Sequence, residues 1–155
     1  LENSDLVFAN NSIYFSNNKN EIFSIDAKTG IVNWIQSVNS KLRPTIVENL
    51  VFSISQEGFL FVIDAKTGNI IRVSNVFLNV KNKKNEIMPI GFILGNNKVY
   101  LSLSNGYLIK IDIFNGLLEN SFKLHGSKIS RPYVLNDEIY IIKNNSIIKS
   151  IKNDT

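Results

Sequence analysis

The sequence predicts an all-β chain made of four-stranded antiparallel sheets, three complete and one incomplete. Three observations carry that expectation. First, the apolar segments are short and bounded by turn residues, whereas helices would need a longer run with a 3.6-residue period. Second, Ser24-Ile25-Asp26-Ala27-Lys28-Thr29-Gly30 recurs as Val62-Ile63-Asp64-Ala65-Lys66-Thr67-Gly68 and, more loosely, as Lys110-Ile111-Asp112-Ile113-Phe114-Asn115-Gly116. Third, an aromatic residue set in an apolar strand returns at Tyr14, Phe52, Tyr100 and Tyr140, with spacings of 38, 48 and 40. The first two spacings equal those of the recurring segment, so two landmarks give one register.

Each copy is expected to hold four strands. In the second they fall at about 44–48, 50–55, 59–64 and 69–74, with Gln56-Glu57-Gly58 and Ala65-Lys66-Thr67-Gly68 as tight connections. Asn105-Gly106 plays the hairpin role in the third copy, because glycine adopts the positive φ such turns require. All three prolines, Pro44, Pro89 and Pro132, mark the boundary where a copy begins. Strands such as Ile139-Tyr140-Ile141-Ile142 and Gly91-Phe92-Ile93-Leu94 are apolar on both faces, so each small sheet needs cover on two sides. The longer second spacing is read as a lengthened surface loop around Val76 to Ile87.

A period of about 40 residues with four antiparallel strands is the pattern of a propeller blade. The chain is therefore read as one β-propeller region over residues 1–155, with blades at about 5–36, 44–77, 89–124 and 132–151. In the fourth copy Ile151 aligns with Ile111, so Thr155 falls just short of the position of Gly116 and an outer strand is lacking. Two blade faces and a strand edge would then be open, and unpaired edges favour association with another chain. The expectation is the C-terminal half of a roughly eight-bladed propeller or a pair of copies, against the alternative of a small self-closed four-bladed ring.

Composition narrows the chemistry. The 155 residues carry 17 Lys plus Arg, 13 Asp plus Glu, one His and no Cys. Disulfides and thiolate metal sites are excluded, and His125 alone assembles no His-rich one. The formal charge of +4 comes from lysines dispersed among asparagines, as in Asn17-Asn18-Lys19-Asn20, runs read as solvated loops. Lys81, Lys83 and Lys84 form such a run, with docking of an acidic partner as the alternative. No basic stripe interleaved with aromatics appears, so no nucleic-acid partner is expected. No apolar run reaches the roughly 18 to 20 residues of a membrane span. Because the chain starts Leu1-Glu2-Asn3, a removed leader, anchor or longer N-terminal portion stays open.

Asp26 and Asp64 are acids in a repeated position, and they are read as turn architecture rather than an acid and base pair, since an Asp opening a turn accepts backbone N–H bonds. Nucleophile-elbow, phosphate-loop and HExxH patterns are absent. No catalytic, cofactor-binding or metal-binding residue is assigned. Arg43 and Arg131 are the candidate partner-binding residues: they sit at equivalent places before Pro44 and Pro132 and carry a side chain suited to forked carboxylate recognition. The alternative is that each guanidinium bonds carbonyls or a turn Asp of the adjacent blade.

The segment from Ser24 to Gly30, followed four residues later by Trp34, resembles the quinoprotein-like (PQQ-like) blade repeat, in which an Asp, a Thr-Gly turn and a Trp close each blade. The resemblance spans essentially the whole chain and weakens along it, Arg72 standing at the Trp position in the second copy and Ser121 or Phe122 near it in the third. Residues 106–151 also resemble the last blades of the BamB family, propeller lipoproteins of the outer-membrane β-barrel assembly machinery. The resemblance implies that Trp34 packs between blades. It further implies a non-enzymatic protein-interaction scaffold, periplasmic or outer-membrane associated, touching the membrane only by way of a partner or an anchor. Quinone dehydrogenases of the same repeat class hold their cofactor against a Trp and a vicinal disulfide, with acidic residues and calcium. The absent cysteines speak against that, so no cofactor is expected. A fragment of such a dehydrogenase, or a carbohydrate-binding or cell-surface module, are the alternatives.

Overall fold

The computed structural model describes residues 3–80 and 86–152. These residues form fifteen strands and no helix, and the chain divides into two compact units, Leu1–Ser74 and Asn75–Thr155. The run of Lys81, Lys83 and Lys84 lies outside the described residues.

The first unit holds two sheets. One has the order β1 (Val7–Ala9), β2 (Ser12–Ser16), β3 (Glu21–Asp26), β4 (Val32–Ser37), and the other β5 (Thr45–Val47), β6 (Leu50–Ile54), β7 (Phe59–Asp64), β8 (Ile70–Asn75). The second unit holds β9 (Pro89–Gly95), β10 (Lys98–Leu103), β11 (Tyr107–Asp112), β12 (Leu118–Lys123), and a sheet of β13 (Tyr133–Leu135), β14 (Glu138–Lys143), β15 (Ser146–Lys152). Only strands consecutive in sequence neighbour one another, and pairs such as β1–β2, β2–β3, β3–β4, β6–β7 and β10–β11 are antiparallel.

Two-sided apolar strands become the core, as their pattern requires. In the first unit Tyr14, Ile22, Trp34 and Val38 of one sheet and its connection pack with Val51, Ile63 and Ala65 of the other. In the second unit Tyr100, Leu108, Ile129, Ile139 and Ile141 do the same. The repeated aromatic position is thus a core position, with Tyr14, Phe52 and Tyr100 all buried.

Hairpins are closed by asparagine as much as by glycine. Asn10 and Asn11, Asn96 and Asn97, Asn136 and Asp137, and Asn144 and Asn145 all have φ between 48° and 61°. Two consecutive residues in the left-handed region make the turn whose twist matches that of the strands, and Asn tolerates this conformation better than other non-glycine residues. Many asparagines that composition alone assigns to solvated loops therefore close hairpins.

The third connection of each complete sheet is one structure used three times. Asp26 Oδ1 accepts the N–H groups of Lys28 and Thr29, Asp64 Oδ1 those of Lys66 and Thr67, and Asp112 Oδ1 those of Phe114 and Asn115. Gly30, Gly68 and Gly116 then donate to the carbonyls of those acids at 2.8–2.9 Å. Next in line, Ala27, Ala65 and Ile113 donate to the carbonyls of Asn11, Asn49 and Asn97, tying this turn to the first hairpin of the same sheet.

Asp112 has an additional partner. Lys98 Nζ lies 2.9 Å from its Oδ2 and also bonds Glu119. The Lys98 ammonium, helped by the turn N–H groups, lowers the Asp112 carboxyl from 3.8 to about 2. A depressed native value contributes stability that is present above the unfolded value and is lost as pH falls through the folded one. Asp112→Asn is therefore expected to remove part of the acid sensitivity between pH 3.8 and about 2. Midpoints of urea unfolding across that range test it, and parallel curves for the two proteins would refute it.

Candidate partner-binding surface

Arg43 and Arg131 stand at the same place in their own sheets, one residue before a buried proline and two before the first strand. The proline ring fixes φ and needs no hydrogen bond, so it seats in the core while the arginine before it stays exposed. Arg131 Cζ lies 4.7 Å from the centroid of the Tyr133 ring, a cation–π arrangement. Its backbone is held close by Gly91, where an added Cβ would meet Arg131 Cβ at 2.4 Å. Arg43 makes no hydrogen bond or ion pair among the described residues. Among the described residues neither guanidinium is hydrogen-bonded to a carbonyl or a turn Asp.

The first strand after Arg131 is apolar and open, whereas in β5, after Arg43, Thr45 and Ile46 are half-buried. Tyr133, Val134 and Leu135 of β13 are 39%, 49% and 61% exposed, and beyond Arg43 Val47 of β5 is exposed too. These strands are also sheet edges, so one row of backbone groups is left for an added strand.

The other residues of interest have structural partners. Trp34 is buried, its Nε1–H donates to the Ala65 carbonyl at 2.8 Å, and its ring packs on Tyr14 and against Gly68. His125 is exposed, with Nδ1 3.2 Å from the Ser127 N–H and 3.1 Å from Lys143 Nζ. Among the described residues no three His, Asp or Glu side chains converge as a metal site would need. The quinone of the dehydrogenases finds no fitting residues here: the single tryptophan is packed between two sheets with its N–H engaged, and the chain has no cysteine.

Residues 2–74 match the family model described as outer membrane protein assembly factor BamB. Those residues, a little under half of the chain, are similar to that family. In three dimensions this repeat chain superposes on BamB from Moraxella catarrhalis with a TM-score of 0.73 at 12% identity, covering 93% of this chain and 41% of that one. The computationally designed Ika4 protein gives a TM-score of 0.75 at 17% identity, covering 96% and 89%. Quinohemoprotein alcohol dehydrogenase from Comamonas testosteroni gives 0.63 at 18% identity, covering 77% and 20%. The chain thus spans about two fifths of the Moraxella protein's length. No curated protein matches it in sequence. At these identities the likeness in space establishes the fold, a β-propeller built of four antiparallel sheets.

Trp34 is buried against two sheets, whereas Arg43 and Arg131 stand exposed ahead of the first strands of theirs. What the sequence reading missed here is the apolar strip of β13 beside Arg131. Its signal, Tyr133-Val134-Leu135 with no polar alternation, is visible in the sequence but equally fits a buried strand.

Proposed function

We propose that this chain is a non-enzymatic protein-interaction scaffold acting in outer-membrane protein assembly, at the periplasmic side of that membrane. The observation that supports it is the match of residues 2–74 to the BamB family. In this reading the chain supplies three complete blades and a shorter fourth, and it reaches the membrane through a partner or an anchor. Its ligand is a folded or extended segment of a protein partner, not nucleic acid. Recognition combines forked bonding by Arg43 and Arg131 with strand addition along the open first strands. Open blade faces offer the same chemistry to a second copy.

A photo-crosslinking residue placed at position 43 or 131 in cells tests the reading. Adducts with components of the outer-membrane assembly machinery support it, and adducts confined to unrelated proteins overturn it. With a captured partner, Arg131→Ala is expected to lower affinity roughly thirtyfold, the range of an arginine hot spot of about 2 kcal/mol. Melting should stay unchanged because the side chain is exposed. Equal affinity of the two proteins would remove Arg131 from the interface.

The likeness to quinohemoprotein alcohol dehydrogenase favours a second reading, a piece of a quinone-dependent enzyme. Reconstitution with the quinone and calcium separates the two: a stoichiometric cofactor absorbance would replace the scaffold reading.

A further inference from the structure

A cavity of about 320 Å³ opens in the first unit, among the hairpin and Asp-turn connections of its two sheets. Its size lies at the small end of ligand pockets. Tyr14, Asn11, Asp26, Asn33, Asn49 and Lys66 are among the residues that line it.

Tyr14 is 1% exposed and lines the cavity, and its hydroxyl makes no hydrogen bond with another described residue. The repeat position does not demand this hydroxyl, since Phe52 fills it in the second sheet. A phenol in the wall of a cavity offers one donor and one acceptor to a polar ligand.

The rest of the lining is pre-arranged. Asn10 Nδ2 donates to the Glu48 carbonyl at 2.7 Å and ties the two hairpins together. Asn33 Nδ2 donates to Ser12 and Ser24 hydroxyls at 3.2 and 3.1 Å, which fixes the amide and leaves its oxygen for a ligand. The three turn bonds to Asp26 all go to Oδ1, so Oδ2 is left to accept. Those bonds, above all from Thr29, hold the carboxyl below its ordinary range, so it is ionised.

We infer that this cavity binds a neutral polyhydroxylated molecule of monosaccharide size. One carboxylate and one ammonium, Asp26 and Lys66, leave the lining without net charge. A singly charged ligand meets one attraction and one repulsion there, whereas a hydroxyl accepts from one group and donates to the other. Asparagine amides donate and accept at once, which suits neighbouring hydroxyls.

Titration of the whole ¹⁵N-labelled chain with glucose, galactose and N-acetylglucosamine tests this, with alanine as the zwitterionic probe and inorganic phosphate as the anionic one. Saturable shifts centred on Asn11, Asn33 and Asn49 with at least one sugar are expected, insensitive to added salt because the ligand is neutral. Tyr14→Phe should keep the melting temperature and weaken binding about three- to tenfold, the worth of one hydrogen bond. Asn49→Ala, an exposed change, should also weaken it. No saturable response to any sugar, preference for alanine or phosphate, or unchanged affinity in Tyr14→Phe would each overturn the assignment.

Discussion

Trp34→Ala is expected to lower stability by about 3 to 5 kcal/mol, the range for emptying a buried aromatic site. The indole is only 8% exposed and contacts both sheets of the first unit. Its loss would leave a cavity beside Tyr14, whose ring centroid lies 6.1 Å away, and would strip the Ala65 carbonyl of its donor. Gly68 cannot grow inward to compensate in the native protein, because a Cβ there would meet Trp34 Cγ at 2.6 Å. Urea unfolding followed by far-ultraviolet circular dichroism measures the effect. A loss below about 1 kcal/mol would show that the tryptophan lies at the rim of the core and not in it.

Gly106→Ala is expected to be comparably damaging, at more than about 3 kcal/mol, for a different reason. Gly106 has φ +86°, and a Cβ would lie 2.0 Å from the His125 carbonyl oxygen and 2.8 Å from that of Ser127. Backbone atoms cannot rotate aside as a side chain can. The segment is also held by the Gly106 carbonyl, which accepts the N–H groups of Leu124 and His125 at 3.0 and 3.2 Å. Gly30→Ala is the control, since φ is +74° but no atom lies within 4 Å of the added carbon. It should cost only the left-handed conformation, about 1 to 2 kcal/mol. Thermal melts of the two variants should therefore separate clearly, and equal shifts would mean that the approach to His125 relaxes freely.

The repeat made the fold legible because its landmarks are architectural. Asp26, Asp64 and Asp112 occupy equivalent turns, and an Asp that bonds its own turn leaves the same mark in every copy. Strand limits in the second sheet follow the expectation to within a residue or two, since glycine and asparagine punctuate both ends. Surfaces were less legible. An apolar residue in a short strand reads alike whether it is buried, as Ile139 is, or open, as Val134 is, because exposure depends on what stands across from the strand. The cavity around Tyr14 was illegible for a related reason. It is assembled from four connections distant in sequence, which only the fold brings together.

Pairing of each strand with its sequence neighbours alone bears on how the chain reaches this structure. Every sheet is a meander closed by short connections, so the entropy lost in forming a ladder is that of small loops only. Local contacts of this kind favour fast folding despite the all-β composition. The contacts that link sheets, such as those of Trp34 and Gln36 in the first unit, bridge 31 and 32 residues and come at a larger entropic cost. Refolding of that unit should therefore show early hairpins and a later consolidation step. Substitutions at Trp34 would mainly speed unfolding, while those in the Asp turns would slow folding itself.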